Sequence, residues 1–293
     1  MFITSKGRMF GWWHERRYRM AFFSGNVYSY ELDKMTPLEV YLPFDDNRRF
    51  NVDKDKPQNT LILLHGLEGN CSYWGRYTSV ERYAQSRNIS HIMPEADKSM
   101  YTDMVYGLRY NSYISKELPE MIKGMFNINT DREHLFIAGL SMGGYGAVRI
   151  ALTNSEKFSR CASFSGALMI GSKENMDYFR HWTDPGRSDQ YIEMTEIERS
   201  MRCGMLSSFG GELKYNPQND IIELGRRLIE SGKPVPEFLF TCGTEDFLYD
   251  DNIRYIEALR SEGISSELYT WHGIHNWLFW EESIRDHIGF FAD

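Results

Sequence analysis

The segment that decides the fold is Leu135-Phe136-Ile137-Ala138-Gly139-Leu140-Ser141-Met142-Gly143-Gly144-Tyr145-Gly146. Its first four residues form an apolar run typical of a strand buried on both faces, and residues 143–152 are typical of a helix. Between them stands a Gly-x-Ser-x-Gly sequence with Ser141 at its centre. A sharp turn from strand to helix lifts such a serine above the sheet and needs small neighbours. The segment therefore predicts a nucleophilic serine.

Strand-like and helix-like segments alternate on both sides of this turn. The pattern predicts strands at 27–31, 38–42, 60–64, 89–93, 135–138, 161–164, 237–241 and 267–271. It predicts helices at 73–86, 110–125, 143–152, 252–260 and 276–288. Strands joined mostly by helices imply a largely parallel sheet that is covered on both faces. Together with the serine turn, this order predicts an α/β protein with the α/β-hydrolase fold and an eight-stranded, mostly parallel sheet.

The chain is predicted to form a single α/β-hydrolase domain over residues 20–293. Residues 1–19 show no clear period and are predicted to be an N-terminal extension. Residues 171–218 are polar and rich in turn signals, and they stand between the sixth and seventh predicted strands. Long insertions at such points often shape a pocket, so we expect a cap-like insertion here. Trp182, within it, is the expected substrate-binding residue.

A serine nucleophile needs a base, and the base needs an acid to orient it. In this fold the acid and then the base follow the serine along the chain. Asp246 is the favoured acid because it lies in the loop after the penultimate predicted strand, with Glu245 as the near alternative. His275 is the favoured base because it stands on a turn just before a predicted helix, whereas His272 adjoins the end of the last strand.

An acyl-transfer enzyme also needs N–H donors for the oxyanion. One donor is expected at Met142, directly after the nucleophile. The other is expected in the loop after the third predicted strand, His65-Gly66-Leu67-Glu68-Gly69-Asn70, where glycines let the backbone approach a substrate closely.

Composition restricts the cofactors and partners. A formal net charge of -8 argues against a nucleic-acid partner, because phosphate binding needs a surplus of Lys and Arg on some face. No apolar run approaches the roughly 18 residues of a membrane span, and no signal-peptide core is visible near the N-terminus. We therefore expect a cytoplasmic protein without a membrane partner. A zinc site and a disulfide framework are disfavoured, because the cysteines are scattered at Cys71, Cys161, Cys203 and Cys242.

Four segments together resemble a known family. They are Leu64-His65-Gly66-Leu67-Glu68-Gly69-Asn70, the serine turn at 139–146, Cys242-Gly243-Thr244-Glu245-Asp246-Phe247-Leu248-Tyr249 and His272-Gly273-Ile274-His275-Asn276-Trp277. These segments are similar to those of bacterial tributyrin and acetyl esterases. That group belongs to a wider esterase family with S-formylglutathione hydrolases, feruloyl esterases and mycolyltransferases. The resemblance runs from about residue 20 to the C-terminus.

The resemblance implies a serine carboxylesterase that hydrolyses short acyl esters, acetyl to butyryl, through an acyl-enzyme and without a cofactor or metal. It implies Ser141, Asp246 and His275 as the catalytic triad, with Leu67 and Met142 supplying the oxyanion N–H groups. The expected partner is a small-molecule ester.

Other enzymes of the family remain alternatives. A feruloyl-type esterase is one, and a thioesterase similar to S-formylglutathione hydrolases is another. The second is disfavoured, because Leu140 and Tyr145 stand where those hydrolases usually carry histidine. A non-catalytic binding module is disfavoured by the intact serine, acid and base. The sequence leaves the natural acyl and alcohol groups open, and also whether the chain forms a homo-oligomer.

Overall fold

A twisted β-sheet forms the centre of the molecule. The protein is described here by a computed structural model that covers residues 21–43, 58–182 and 196–292. In these ranges the strands are β1 (Ala21–Ser29), β2 (Lys34–Leu42), β3 (Asn59–Leu64), β4 (Ile89–Pro94), β5 (Leu135–Leu140), β6 (Arg160–Phe164), β7 (Glu237–Gly243) and β8 (Ser266–Trp271). They follow the order β1-β2-β4-β3-β5-β6-β7-β8 in one sheet. Among these strands, β2 is antiparallel to β1 and β4, and the other pairs are parallel. The predicted mostly parallel sheet is therefore confirmed.

Helices connect most of the strands. They are α1 (Tyr73–Tyr77), α2 (Val80–Gln85), α3 (Tyr110–Ser112), α4 (Leu118–Phe126), α5 (Met142–Thr153), α6 (Lys173–Trp182), α7 (Glu196–Phe209), α8 (Ile221–Ser231), α9 (Tyr249–Ser261) and α10 (Trp277–His287). A π-helical turn, Tyr113–Glu117, joins α3 to α4, so the predicted helix at 110–125 is one continuous element.

The predicted helix at 73–86 is wrong in one respect, because it is broken into α1 and α2. Thr78 has an extended backbone, and its hydroxyl donates to the Trp74 carbonyl at 2.6 Å. The next N–H, of Ser79, donates to the Glu281 carboxylate of α10 at 3.0 Å. These bonds satisfy groups that a continuous helix would use for itself, and they end α1.

Helix α8 was not predicted, although its signals are present in the sequence. The Asp220 side chain caps its first turn by accepting the Ile222 N–H at 3.0 Å. Gly232 ends it with a φ of 66°, a left-handed conformation that glycine adopts readily. The buried side chains Ile221, Leu224 and Leu228 follow a helical spacing.

The parallel strands are apolar on both faces because both faces are covered. On β3, Leu61 and Leu63 face a core layer with α1, α2 and α10, whereas Ile62 and Leu64 face a second layer with α4, α5, α8 and α9. Successive side chains of a strand point to opposite faces, so an unbroken apolar run serves both layers. This core holds the strand ends, and therefore the loops that follow them, in fixed positions.

The predicted domain division stays a prediction. Residues 1–20, 44–57, 183–195 and 293 lie outside the described residues, and with them the predicted extension and the middle of the predicted insertion. Within 171–218, α6 and α7 carry Met176, Phe179 and Met205, which are buried in the main core. Trp182 is the last residue of α6, and its side chain lies outside what the structure describes. In the described ranges, no helix has the length and apolar character needed to cross a membrane.

His91 on β4 is a buried ring that finds no polar partner among the described residues. Its side chain is 1% exposed and stacks on Tyr41, with 4.6 Å between the ring centroids. Neither ring nitrogen has a hydrogen-bond partner among the described residues. Because burial disfavours the charged imidazolium, the pKa of His91 is lowered to about 3.

We expect His91 to make the fold sensitive to acid. The unfolded chain binds a proton at this histidine below its ordinary pKa of 6.5, whereas the folded chain does so only below about 3. Between these values the free energy of unfolding falls by about 1.4 kcal/mol per pH unit. His91→Phe keeps a stacking ring that cannot titrate. From about pH 7 to about pH 5, the free energy of unfolding of this variant should therefore fall by about 2 kcal/mol less than that of the native chain.

Urea unfolding at the two pH values measures this difference. A comparison of about pH 9 with about pH 8, where His91 binds almost no proton in either state, serves as the control and should show equal changes for both proteins. Equal losses of stability in the acid range would contradict the prediction.

Candidate active site

Ser141 lies on a strained turn between β5 and α5. Its backbone has φ 52° and ψ -118°, a conformation that residues with a side chain rarely adopt. The turn is held by its own backbone groups. The Ser141 N–H donates to the Phe164 carbonyl at 3.1 Å, and the Ser141 carbonyl accepts from Gly144 and Ala167 at 3.0 Å each. The structure thus places Ser141 as the sequence predicts, at the end of a strand and the start of a helix.

The glycines of the turn are needed because backbone segments meet there. A Cβ at Gly139 would lie 2.3 Å from the Gly143 carbonyl oxygen. A Cβ at Gly143 would lie 2.5 Å from the carbonyl oxygen of Leu64 and 2.6 Å from that of His65. These neighbours are backbone atoms that cannot rotate away. Gly-x-Ser-x-Gly is therefore the pattern that lets β5 and α5 pack against the end of β3.

A chain of hydrogen bonds connects Ser141 with His275 and Asp246. The Ser141 Oγ lies 3.0 Å from His275 Nε2. The other ring nitrogen, Nδ1, lies 2.9 Å and 3.1 Å from the two carboxylate oxygens of Asp246. Because a carboxylate can only accept, the Nδ1–H donates to Asp246, and Nε2 is left to accept the Ser141 proton.

Asp246 is buried, with 4% of its surface exposed. Burial raises the pKa of its carboxyl, but the hydrogen bond and charge of His275 and the N–H of Leu248, 2.9 Å away, outweigh that effect. The pKa of Asp246 therefore lies below its ordinary value, and the carboxylate stays charged beside the imidazole. A charged acid in this position orients the ring and stabilises its protonated form.

The alternative acid and base, Glu245 and His272, lie together outside this chain of hydrogen bonds. The His272 side chain is 92% exposed, and its Nδ1 lies 3.0 Å from the Glu245 carboxylate. Glu245 also accepts the Gly273 N–H at 2.7 Å. This pair links the loop after β7 to the loop after β8, and so it braces the two loops that carry Asp246 and His275.

The loop after β3 lies against the serine turn. A Cβ at Gly66 would be 3.6 Å from the Ser141 Cβ, so the next residue, Leu67, stands beside the nucleophile. Met142, the other predicted donor, is the first residue of α5, and its N–H has no partner within the helix. The loop after β3 and the start of α5 therefore both lie at Ser141, and the oxyanion function of Leu67 and Met142 stays a prediction.

His65 and Tyr101 hold this loop, a function that the sequence analysis missed. His65 Nε2 accepts the Ala96 N–H at 3.0 Å, so its Nδ1 carries the proton that bonds the Gly66 carbonyl at 2.8 Å. The Tyr101 hydroxyl donates to the His65 carbonyl at 2.7 Å. A polar residue directly after a buried apolar strand was the only sequence signal, whereas Tyr101 becomes a neighbour only in the folded chain.

Comparison with known proteins identifies the family. Residues 29–190 match the family described as "Putative esterase". An acetyl esterase from Caldicellulosiruptor saccharolyticus is 31% identical over 272 residues, which cover 91% of this chain and 96% of that protein. The chain belongs to this esterase family. It is a carboxylic ester hydrolase of the serine hydrolase type, as the sequence resemblance implied.

Solved structures agree with this assignment. The esterase is similar to the fluorophosphonate-binding serine hydrolase F of Staphylococcus aureus in a substrate-bound form, with a TM-score of 0.74, 31% identity, and coverage of 94% of this chain and 99% of that one. It is also similar to an S-formylglutathione hydrolase from the same organism, with a TM-score of 0.73, 31% identity and the same coverage of 94% and 99%. The predicted α/β-hydrolase fold is therefore confirmed.

Two aromatic rings of the esterase pack against His275. The buried Trp280 of α10 meets the imidazole edge-on, with 4.9 Å between the centroids. Phe247 lies 4.6 Å away at an angle of 51°. Trp280 is itself packed edge-on against Trp277, 5.2 Å away. Buried Trp280 thus supports the His275 ring in addition to Asp246, whereas Phe247 contacts the ring from an exposed position.

A cavity of about 360 Å³ opens beside the oxyanion loop of the esterase. Its lining is mostly acidic and comprises Leu67, Glu68, Gly69, Glu95, Asp97, Lys98, Glu196 and Ser200. Half of these described lining residues are acidic, and one of them, Lys98, is basic. The local potential is therefore negative, which disfavours anionic groups near Leu67.

We expect Gly143→Ala to damage both stability and activity. The new methyl group would push against the backbone of Leu64 and His65, which overpacks the core and displaces the oxyanion loop. The expected loss is about 1–3 kcal/mol in the free energy of unfolding, together with a fall in kcat on 4-nitrophenyl acetate of roughly tenfold or more.

Gly124→Ala in α4 is the matched control, because nothing lies within 4 Å of a Cβ at that position. That change should leave activity unaltered and raise stability by up to about 1 kcal/mol, since alanine favours the helix. Native activity and stability in Gly143→Ala would show that the backbone approach is less restrictive than described.

Proposed function

We propose that this esterase hydrolyses short-chain carboxylic esters, with acetyl to butyryl acyl groups, through an acyl-enzyme on Ser141. The observation that carries the proposal is the hydrogen-bonded chain from Ser141 Oγ through His275 to Asp246. The 31% identical acetyl esterase supports the acyl class.

In the first step the Ser141 hydroxyl attacks the ester carbonyl carbon. His275 Nε2, at 3.0 Å, takes the hydroxyl proton as the Oγ–C bond forms. The ring then carries a positive charge, which the carboxylate of Asp246 stabilises without taking a proton itself. Because the strained turn already presents Oγ to the base, little rearrangement is needed for the attack.

The oxyanion that develops on the carbonyl oxygen needs fixed N–H donors. Leu67 and Met142 are the proposed donors, one on each side of Ser141. A donor of this kind typically contributes roughly a hundredfold to a thousandfold in kcat. His65 and Tyr101 act through the backbone of the loop, because they bond the carbonyls of Gly66 and His65, and the Gly66 carbonyl belongs to the same peptide group as the Leu67 N–H.

The second half of the reaction reverses these roles. Protonated His275 gives its proton to the leaving alcohol as the C–O bond breaks, and the acyl group stays on Ser141. Water then takes the place of the alcohol, and its oxygen bonds to the acyl carbon as its proton passes to His275. The bond from that carbon to Ser141 Oγ breaks, His275 returns the proton to Oγ, and the carboxylic acid is released. Every transfer passes through Nε2, so the leaving group and the water must both come within hydrogen-bond reach of that atom.

A thioesterase activity similar to that of S-formylglutathione hydrolases is the second candidate. The 31% identity to the Staphylococcus aureus S-formylglutathione hydrolase favours it. The acidic lining of the cavity beside Leu67 disfavours it, because the glutathione moiety carries carboxylates. We therefore propose neutral esters as the preferred substrates.

We expect substitutions in the proposed triad to lower kcat/KM far more than a substitution in the neighbouring pair of Glu245 and His272. Ser141→Ala and His275→Ala should each lower kcat/KM on 4-nitrophenyl acetate by about 10⁴-fold or more. His272→Ala should lower it only a few-fold, because His272 is exposed and touches Glu245 rather than Ser141.

Circular dichroism and thermal unfolding establish that each of these variants is folded. A folded Ser141→Ala variant within tenfold of native activity would refute the nucleophile. A His272→Ala variant more damaged than His275→Ala would refute the base.

We expect kcat/KM to peak between acetate and butyrate across 4-nitrophenyl esters from acetate to laurate. A closed acyl pocket gains about 0.8 kcal/mol per buried CH₂ until the chain meets its wall. Trp182, the proposed wall, should move the optimum toward longer chains when changed to alanine. S-formylglutathione should have a lower kcat/KM than a neutral formate ester. Added salt should reduce this difference in kcat/KM, because it screens the repulsion between the carboxylates of glutathione and those of the cavity.

An optimum at octanoate or longer would contradict the short acyl pocket. A preference for S-formylglutathione at low salt would make the thioesterase the better assignment. Glu68→Gln provides a direct check on the charge effect, since it should improve the thioester and leave neutral esters unchanged.

A further inference from the structure

Three exposed apolar side chains lie next to the proposed acid and base. Phe247 follows Asp246, Ile274 precedes His275, and Leu278 is in the first turn of α10. Their surfaces are 75%, 53% and 78% exposed. We call these three residues the apolar rim. Large exposed apolar side chains that are close in sequence to reacting groups indicate a surface that a ligand covers during the reaction.

Phe247 is the member of the rim that touches the chemistry. Its ring centroid lies 4.6 Å from that of His275, although three-quarters of its side chain is open to solvent. The loop geometry that produces this contact is fixed. The Leu248 N–H bonds the Asp246 carboxylate at 2.9 Å, and the Tyr249 N–H bonds the Asp246 carbonyl at 2.9 Å. The same turn therefore buries Asp246 and directs Phe247 outward.

Support of the imidazole does not account for Phe247. Trp280 already packs on His275 from the protein side, and Asp246 holds its Nδ1. A ring that served only to brace His275 would gain from being buried, as Trp280 is. Phe247 instead offers an uncovered aromatic face at the mouth of the site.

The proton transfer from His275 determines which part of the substrate lies next to the exposed face of Phe247. His275 Nε2 must donate its proton to the leaving oxygen, so that oxygen lies within hydrogen-bond reach of the imidazole. The alcohol substituent on this oxygen then lies beside the imidazole ring that Phe247 contacts. The carbonyl oxygen, by contrast, points to the N–H groups of Leu67 and Met142. The apolar rim is thus placed to meet the alcohol part of the ester and not its carbonyl.

We propose that Phe247, with Ile274 and Leu278, forms the binding site for the leaving alcohol and selects esters of apolar alcohols, above all aromatic ones. This inference rests on the proposed function. An aromatic alcohol can stack on Phe247 and remove its face from water, whereas methanol covers almost none of it.

Alcohol competition for the acyl-enzyme tests the proposal directly. The acetyl-enzyme is formed from 4-nitrophenyl acetate, and benzyl alcohol or methanol is added to compete with water. The alcohol oxygen bonds to the acetyl carbon and the bond from that carbon to Ser141 Oγ breaks. The alcohol proton passes to His275 Nε2 and then to Oγ. Because this step is the reverse of ester cleavage, the incoming alcohol occupies the leaving-group site.

In the native enzyme, benzyl alcohol should capture the acetyl group at least about tenfold more effectively, per mole, than methanol. Phe247→Ala should abolish most of this preference, and Phe247→Leu should keep part of it. Deacylation by water should change far less in Phe247→Ala than capture by benzyl alcohol does, since the acetyl-enzyme holds no alcohol. The burst rate constant with 4-nitrophenyl acetate should fall, because its leaving group is itself an aromatic alcohol. Tyr30→Ala, at an 85% exposed aromatic residue in the turn after β1, is the control and should keep the native preference.

An unchanged preference in Phe247→Ala would overturn the proposal. So would an equal fall of hydrolysis and of capture by both alcohols, because that result would make Phe247 a support for His275. Absence of 4-nitrophenyl acetate hydrolysis by the native enzyme would overturn the proposed function itself. Hydrolysis with an unchanged alcohol preference would overturn only the leaving-group site.

Discussion

The left-handed backbone of Ser141 is the constraint on which the rest of the site depends. A serine in this conformation is unfavourable by itself, so the surrounding structure has to hold it. The carbonyl of Phe164 binds its N–H, and the N–H groups of Gly144 and Ala167 bind its carbonyl. The glycines at 139 and 143 let three backbone segments meet at this point. The strain is thus offset by the packing of β3, β5, β6 and α5, and it leaves the Ser141 hydroxyl exposed to its base.

The order of the strands explains how distant parts of the chain reach this hydroxyl. β3, β5, β7 and β8 are parallel, so their carboxyl ends lie at one edge of the sheet. The loop after each of these strands carries one residue of the proposed site: Leu67, Ser141, Asp246 and His275. This arrangement follows the general rule that parallel sheets place their sites beyond the carboxyl ends of the strands. Loops on a rigid sheet can then differ in specificity without loss of the reacting geometry.

Two histidines of this protein show what a partner does for a buried imidazole. His91 is enclosed by apolar and aromatic groups without a hydrogen bond from the described residues, and burial keeps it neutral far into the acid range. His275 is bonded at both nitrogens and packed between Trp280 and Phe247. One ring is therefore a contributor to acid sensitivity, and the other is arranged to take and return a proton. The difference comes from their neighbours, since the side chains are chemically identical.

The sequence by itself determined the fold class and the strand-to-helix turn at Ser141, because apolar periodicity and glycine spacing are local properties, and it predicted the order of the proposed acid and base. Helix α8 was also within its reach, from the Asp220 cap and the Gly232 stop. Only the tertiary structure decided between adjacent candidates. Asp246 and His275 turn inward to Ser141, whereas Glu245 and His272 turn outward to each other. Long-range packing sets the direction of each of these loop side chains. The bracing of the oxyanion loop by Tyr101 and the placing of Phe247 on His275 depend on the same packing, so no local pattern could have predicted them.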